Sequence, residues 1–116
     1  MPDHISDSLS NKIFVLCQQP KNVTFTGSAF SDCRTAGITT DCALSLIQKH
    51  ISDKGLITKI IQHTTQKPAY VMFLKVKMTK YYVKVQFRGN KNDLIVISFH
   101  PAHGEEKHHA NKTQHR

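Results

Sequence analysis

The spacing of apolar residues divides the chain into a helical first half and an extended second half. Apolar side chains recur at helical spacing over residues 5–18, at Ile5, Leu9, Ile13, Leu16 and Cys17, which predicts a first helix. A second helical region is predicted over residues 33–51, and Gly37 with the following threonines is able to split it in two. Residues 23–30 are expected to be a short extended stretch or loop, and residues 56–63 a third short helix.

From Ala69 onward the apolar period changes to two, which is typical of strands. We predict strands over 70–78, 81–88 and 94–100, with a hairpin turn at 89–93. In the second strand one face is apolar and the other polar, so a sheet covered by helices on one face is expected. The opposite, basic face is expected to carry Lys75, Lys77, Lys84, Arg88, Ser98 and His100, and parity places Leu94 and Val96 there too.

The 116 residues fit a single domain over 1–101, followed by a tail at 102–116 that we predict to be disordered because it has almost no apolar side chains. No apolar run approaches the ~20 residues of a membrane helix, so no stable membrane association is expected. The three cysteines do not form a disulfide framework, although a link between Cys33 and Cys42 stays open. The predicted fold class is therefore α+β, with N-terminal helices packed on a twisted antiparallel sheet.

The net charge of the chain indicates what kind of partner it binds. Sixteen Lys and Arg against eight Asp and Glu give a formal charge of +8, which favours an anionic partner. Four cations of the predicted sheet are candidate contacts for an RNA backbone: Lys75, Lys77, Lys84 and Arg88. The alternative is that these residues form a charged face that keeps the sheet soluble.

Two histidines bracket the predicted domain, His4 at its start and His100 at the end of the last strand. Cleavage of RNA without a metal needs one group that removes the proton of a ribose 2′-hydroxyl and another that protonates the leaving 5′-oxygen. Histidine suits both roles, because its ordinary pKa is ~6.5. Lys12 follows His4 at helical distance and is a candidate to stabilise charge on the phosphate, while Ser98 projects the same way as His100. No cofactor or metal is expected.

Four short pieces of sequence occur in an order typical of one family. They are His4-Ile5, Leu9-Ser10-Asn11-Lys12-Ile13, Ser28 to Ala36, and Ser98-Phe99-His100-Pro101. This order, which spans about residues 4–101, resembles the ribonuclease A-like toxin domains at the C-termini of bacterial contact-dependent growth inhibition proteins. The resemblance implies a kidney-shaped α+β fold without the disulfides of pancreatic ribonucleases.

The resemblance also implies a function and a set of catalytic residues. The early catalytic histidine of the family matches His4, its helical arginine is replaced by Lys12, and its threonine and tyrosine in the last strand match Ser98 and His100. Histidine in place of tyrosine at position 100 either disables the site or restores the two-histidine chemistry of the vertebrate enzymes. The second is favoured, because near pH 7 histidine transfers protons far better than a tyrosine with a pKa of ~10. The implied protein is a monomeric endoribonuclease delivered from the cell surface as part of a larger toxin. It would act in the target-cell cytoplasm and be blocked by a cognate immunity protein, which we expect to be acidic.

Two other classes of function remain open from the sequence. The chain is consistent with a non-catalytic basic module that binds RNA or an acidic protein, with Tyr82 as the one candidate for base stacking on the basic face. It is also consistent with a nuclease toxin of another α+β fold, in which His100 acts with Lys84 or Arg88 and His4 plays no part.

Overall fold

Three helices cover one face of a five-stranded sheet in a computed structural model, which describes residues 5–102. The helices and strands have the following bounds: α1 Asp7–Cys17, β1 Val23–Phe25, α2 Gly27–Ala36, α3 Thr40–Ser52, β2 Thr58–Ile61, β3 Pro68–Val76, β4 Thr79–Arg88 and β5 Asp93–Pro101. A 3₁₀ turn, Pro20–Asn22, joins α1 to β1. His4 and residues 103–116 of the expected tail lie outside the described residues. Ala102 belongs to the fold, since its amide donates to the carbonyl of Lys80.

Each helix begins at a hydroxyl side chain that caps its first turn. The hydroxyl oxygens of Ser6, Thr26 and Thr39 accept hydrogen bonds of 3.0–3.2 Å from amides three residues later. The first predicted helix is confirmed as α1, and the predicted split at Gly37 is confirmed by its left-handed φ of 75°. The start of the second helical region was wrong, because Thr26 caps a helix that already begins at Gly27. No helix in the described part is long and apolar enough to cross a membrane.

The third predicted helix, over residues 56–63, is wrong. Residues Thr58–Ile61 form strand β2, which pairs antiparallel with β3 at one edge of the sheet. Leu56, Ile57, Ile60 and Ile61 have helical spacing, but three of the four residues in the strand are β-branched and favour an extended chain. The pairing with β3 therefore outweighs the apolar pattern.

The sheet has the strand order β1-β5-β4-β3-β2 and is mixed rather than wholly antiparallel. The three predicted strands, β3 to β5, pair antiparallel as expected. Strand β2, which was not predicted, also pairs antiparallel with β3, whereas β1 lies parallel to β5. The reason is that β1 leads directly into α2, and α2 packs against β5. The predicted α+β class is confirmed, with this correction to the sheet.

The core lies between the helices and the inner face of the sheet. Its fully buried side chains include Ile13 and Ile47 from the helices and Met72, Val83 and Phe99 from the strands. The three cysteines form no disulfide. Burial raises the pKa of the Cys17 thiol to about 12 and that of Cys33 to about 11, so these two thiols stay protonated at neutral pH.

Two tight turns join the last three strands. Strand β3 ends at Val76, earlier than predicted, and Lys77 and Met78 form the turn, with Lys77 at a φ of 58°. Lys77 therefore lies in a turn and not on the predicted basic strand face. The predicted turn between β4 and β5 is confirmed, and Gly89, Asn90 and Lys91 all have positive φ there.

Candidate active site

A bulge in β5 determines where Ser98 and His100 point. Val96 pairs with Val85, but the neighbouring residue Lys84 pairs with Ser98, so Ile97 is an extra residue on β5. Leu94, Val96 and Phe99 are fully buried in the core, and Ser98 and His100 therefore lie on the opposite face of the sheet, which we call the outer face. The prediction was correct for Ser98 and His100. The prediction was wrong for Leu94 and Val96, which point into the core. The extra residue Ile97 shifts the in-and-out alternation of side chains, so residues before and after it that are an even number apart point to opposite faces.

The bulge is connected to the first turn of α2 through Thr26. The Thr26 amide donates to the carbonyl of Val96 at 3.0 Å, and the Thr26 hydroxyl donates to the carbonyl of Ile97 at 2.9 Å. The same hydroxyl oxygen accepts the Ala29 amide at 3.1 Å as the helix cap. One side chain thus holds the helix start and the bulge together, immediately before Ser98.

Lys84, Ser98 and His100 form a cluster on the outer face. Ser98 lies directly opposite Lys84, and His100 lies directly opposite Tyr82, two residues away on each strand. Direct pairs in an antiparallel sheet have Cβ atoms about 5 Å apart, and diagonal pairs such as Lys84 and His100 are about 7–8 Å apart. A flexible lysine side chain therefore reaches the space beside both Ser98 and His100.

The imidazole of His100 is oriented by its neighbours. Its ring stacks on the Tyr82 ring with centroids 5.3 Å apart and planes inclined by 20°, and Tyr82 in turn meets Phe73 edge to face at 5.7 Å. Nδ1 of His100 lies 3.0 Å from the carbonyl oxygen of Pro101. Because a carbonyl only accepts, Nδ1 carries the proton, and Nε2 is the basic nitrogen of the neutral ring.

The stack also bears on the alternative function. Tyr82 is only 5% exposed, because its ring is packed between Phe73 and His100. Its ring face is therefore already occupied, and the expected stacking of an RNA base on Tyr82 is not supported.

The ammonium group of Lys84 lies in partly desolvated surroundings. Lys84 has Val71 opposite it on β3 and Ser98 opposite it on β5, with Tyr82 and Gln86 on the same face of its own strand. This burial lowers the pKa of Lys84. Within residues 5–102 the only ion pair is Lys49 with Asp53 on α3, so no carboxylate of the described chain compensates the Lys84 charge. Such a group favours an anionic ligand.

Charge is distributed unevenly between the two halves of the described chain. Residues 58–101 contain eight lysines and arginines and one acid, Asp93, whereas residues 5–57 contain five cations and four acids. The cations of the sheet half are Lys59, Lys67, Lys75, Lys77, Lys80, Lys84, Arg88 and Lys91. The positive charge of the described chain is therefore concentrated in the part that carries His100.

Lys12 does not join this cluster. It lines a depression with Asp93 and Lys91 at the start of β5. His100 is seven residues further along the strand, about 24 Å at ~3.4 Å per residue. The predicted partnership between Lys12 and His100 is thus not supported by their positions, because α1 crosses the fold near the opposite end of β5.

The other residues that were predicted to contact RNA lie outside the cluster. Lys75 is exposed on the outer face and pairs with Lys80, beyond the row of Tyr82 and His100. Arg88 is exposed at the far end of β4, and Lys77 lies in the turn. His4 lies outside the described residues. The first described residue, Ile5, donates its amide to the carbonyl of Ile57 at 3.0 Å, immediately before β2.

Sequence reasoning gave no role to two residues of this region, Phe73 and Thr26. Lys80 was counted among the cations of the folded part, but it was placed before the start of the predicted strand at Tyr81. In the structure its ammonium lies 5.9 Å from the Phe73 ring centroid, next to the aromatic stack. Thr26 could have been identified as a helix cap from its hydroxyl, although the adjacent Gly27 resembles a helix breaker.

No group of three or more His, Cys, Asp or Glu residues in the described part is arranged to hold a metal ion. The comparisons with known proteins add no relative: no protein-family model, no curated protein and no solved structure matches the chain. The arrangement on the outer face therefore has to be interpreted from its own chemistry.

Proposed function

We propose that this chain is a ribonuclease A-like, metal-independent endoribonuclease domain of a bacterial toxin. The observation that supports this most is the cluster of His100, Ser98 and the partly desolvated Lys84 on one face of the sheet. A proton-transfer group, a hydroxyl and a cation that pairs with no carboxylate among residues 5–102 are together suited to a phosphodiester. Their surroundings are basic, which suits a polyanionic substrate.

The proposed reaction is a transphosphorylation. A general base removes the proton from the ribose 2′-hydroxyl, the 2′-oxygen attacks phosphorus, and the bond from phosphorus to the 5′-oxygen breaks. A general acid protonates the departing 5′-oxygen, and the products are a 2′,3′-cyclic phosphate and a 5′-hydroxyl. His100 supplies one of these proton transfers through Nε2, and His4 is proposed to supply the other.

Lys84 takes the role that the sequence assigned to Lys12. As the 2′-oxygen attacks, negative charge accumulates on the non-bridging oxygens of the phosphate. A fixed ammonium in partly desolvated surroundings stabilises that charge more strongly than one in water, and a preorganised donor of this kind contributes about 10²–10³ in rate. Ser98, opposite Lys84, is placed to donate a hydrogen bond to the same phosphate.

The part of the proposal that concerns His4 depends on the entry of the chain into the fold. Ile5 donates a hydrogen bond to Ile57. Thr58, which follows Ile57 in the chain, pairs with Val71. Val71 pairs with Lys84 and Lys84 with Ser98, so Thr58 belongs to the same cross-strand row as the cluster. The described chain therefore begins beside the strand that continues this row.

The partner proposals follow from charge and from the family resemblance. The sheet half has eight cations and one acid, so an inhibitor that covers the outer face needs an acidic surface. We propose such an immunity protein, with the chain itself a monomer apart from the inhibitor. Delivery as part of a larger surface toxin, with action in the target-cell cytoplasm, belongs to the same proposal.

The test is cleavage of total bacterial RNA by the purified chain in EDTA. The parent is expected to produce 2′,3′-cyclic phosphate ends, and His4→Ala and His100→Ala are each expected to lose a factor of about 10²–10⁴. Lys84→Met is expected to lose about 10²–10³. Lys12→Ala is the matched lysine variant and is expected to cleave like the parent.

Each other outcome points to a different function. If His100→Ala cleaves RNA as fast as the parent, the proposed active site is wrong. Loss in His100→Ala but not in His4→Ala would favour the nuclease of another α+β fold, in which His100 acts with Lys84 or Arg88. RNA binding by the parent without cleavage would identify the non-catalytic module.

A further inference from the structure

A basic depression lies on β3 and β4 at the end opposite to the cluster of Lys84, Ser98 and His100. It has a volume of about 530 Å³ and is formed where β3, β4 and the β4–β5 turn meet. We call it the hairpin-end depression. The residues that the argument uses are Lys67, Tyr70, Gln86, Phe87, Arg88 and Lys91.

The lining of the hairpin-end depression suits a phosphate group with an organic part attached. It contains three cations, Lys67, Arg88 and Lys91, and no carboxylate. One wall includes the half-buried ring of Phe87, which meets the buried ring of Tyr70 edge to face at 5.6 Å. Among the described residues none of the three cations is in an ion pair, so all three charges are available to an anion.

The position of this depression relates it to Lys84. Gln86 and Arg88 follow Lys84 on the same face of β4, and Gln86 and Arg88 both line the depression. Arg88 is four positions after Lys84, a distance of about 14 Å at ~3.4 Å per residue. An extended nucleic acid strand crosses such a distance within a few nucleotides, with Gln86 as a neutral hydrogen-bonding group on the way.

We propose that the hairpin-end depression binds a distal phosphate of the same single-stranded RNA whose scissile phosphate lies at Lys84. This inference rests on the proposed function and specifies its substrate: a single strand long enough to reach both places. It assigns Lys67 and Lys91 a role that their positions in sequence do not suggest. A free anion would bind in the hairpin-end depression alone, whereas the RNA would contact the depression and the cluster at Lys84 at the same time.

The experiment compares a dinucleotide with a single-stranded decanucleotide as substrates of Lys67→Ala and Lys91→Gly. Glycine is chosen at position 91 because Lys91 has a φ of 69°. We expect the loss in kcat/KM with the decanucleotide to exceed the loss with the dinucleotide by about 10-fold, equivalent to ~1.4 kcal/mol. Arg34→Ala, on α2, is the matched control and should alter neither substrate.

Binding of a fluorescent, uncleavable decanucleotide tests the inference independently of cleavage. Log affinity falls as log salt rises, and in each variant this negative slope should become shallower by about 0.7. That is the value for one lost phosphate contact on a single strand. An unchanged slope in both variants, or an equal decrease in Arg34→Ala, would overturn the distal subsite. Absence of cleavage of both substrates by the parent would instead refute the proposed function, and the salt slopes would then report only whether the depression binds a phosphate of single-stranded RNA.

Discussion

At the scale of single residues, Lys84 is a partly buried cation on the outer face of the sheet. Val71 and Ser98 lie opposite it on the neighbouring strands, and no carboxylate of the described chain is paired with it. Burial of an uncompensated charge destabilises a folded protein, and such arrangements are found where function requires a reactive or binding group. Lys84 is therefore expected to lower the stability of the free protein while supporting the binding of an anion.

We predict that Lys84→Met stabilises the protein at neutral pH while it lowers RNA cleavage. The folded state lowers the pKa of Lys84 from 10.5, so between that lowered pKa and 10.5 the unfolded chain binds more protons than the folded one. The free energy of unfolding of the parent consequently rises with pH through this window. The advantage of Lys84→Met should be full below the window and vanish above 10.5.

Urea denaturation at several pH values from neutral to alkaline measures this difference. Lys75→Met is the matched control, because the Lys75 side chain is exposed on the same face and its replacement should give no such pH-dependent advantage. A Lys84→Met protein that is less stable than the parent at neutral pH would show that the ammonium is compensated.

The residue types at the cluster were predictable, but their environments were not. Ser98 and His100 were identified from their chemistry and their position at a strand end. The partial burial of Lys84 could not be inferred, because it depends on Val71 and Ser98 from two neighbouring strands. Lys12 was chosen for its nearness to His4 in sequence, and sequence distance does not show that α1 lies near the other end of β5.

At the scale of secondary-structure elements, the connection between α2 and β5 positions the cluster. Thr26 caps α2 and also donates to the carbonyl of the bulge residue Ile97. Bulges are found next to active sites because they redirect the side chains that follow. The direction of Ser98 and His100 therefore depends on a helix cap far away in sequence.

We predict that Thr26→Val reduces RNA cleavage more than its loss of stability explains. Valine keeps the shape of threonine but removes the hydroxyl and with it the hydrogen bonds to Ile97 and Ala29, which should cost about 1–2 kcal/mol in free energy of unfolding. Because the bulge residue Ile97 loses its side-chain bond to the start of α2 and only the backbone bond from Thr26 to Val96 stays, His100 should be less well positioned, and kcat should fall more than KM changes.

Thr39→Val provides the matched comparison for this prediction. Thr39 caps α3 by accepting the Cys42 amide at 3.0 Å, and its hydroxyl makes no bond to the sheet. This variant should lose about 1 kcal/mol and keep its kcat, when both are measured well below their melting temperatures. Equal kcat values for the two variants would mean that Thr26 contributes only to stability.

The elements that the sequence predicted are those with strong local signals. Helix α1 and strands β3 to β5 have clear periods, and the turn at Gly89 has residues suited to positive φ. Strands β1 and β2 are short and depend on pairing with β5 and β3, which is a tertiary contact. The bulge at Ile97 leaves no mark in the sequence, because an isoleucine fits either face of a strand.

At the scale of the whole molecule, the helices and the sheet differ in charge. The helical part of the described chain is nearly balanced, with five cations and four acids, while the part from β2 to β5 has eight cations and one acid. A polyanion is attracted over distances of about a Debye length, roughly 8 Å at physiological salt, so this asymmetry favours approach to the sheet side. The cluster and the hairpin-end depression both lie on that side.

We predict that a DNA oligonucleotide binds to the sheet side and spares the helices. DNA has no 2′-hydroxyl, so it retains the phosphates but cannot undergo transphosphorylation, and it therefore reports binding without cleavage. In an NMR titration the amide shifts should concentrate in residues 68–101, largest near Lys84 and the β4–β5 turn, and should diminish as salt is raised. The exposed cation Arg34 on α2 serves as the internal control. Shifts that are equally large along α2 and α3 would mean that nucleic acid binds to no particular face of the protein. The outer face would then not be an RNA-binding site.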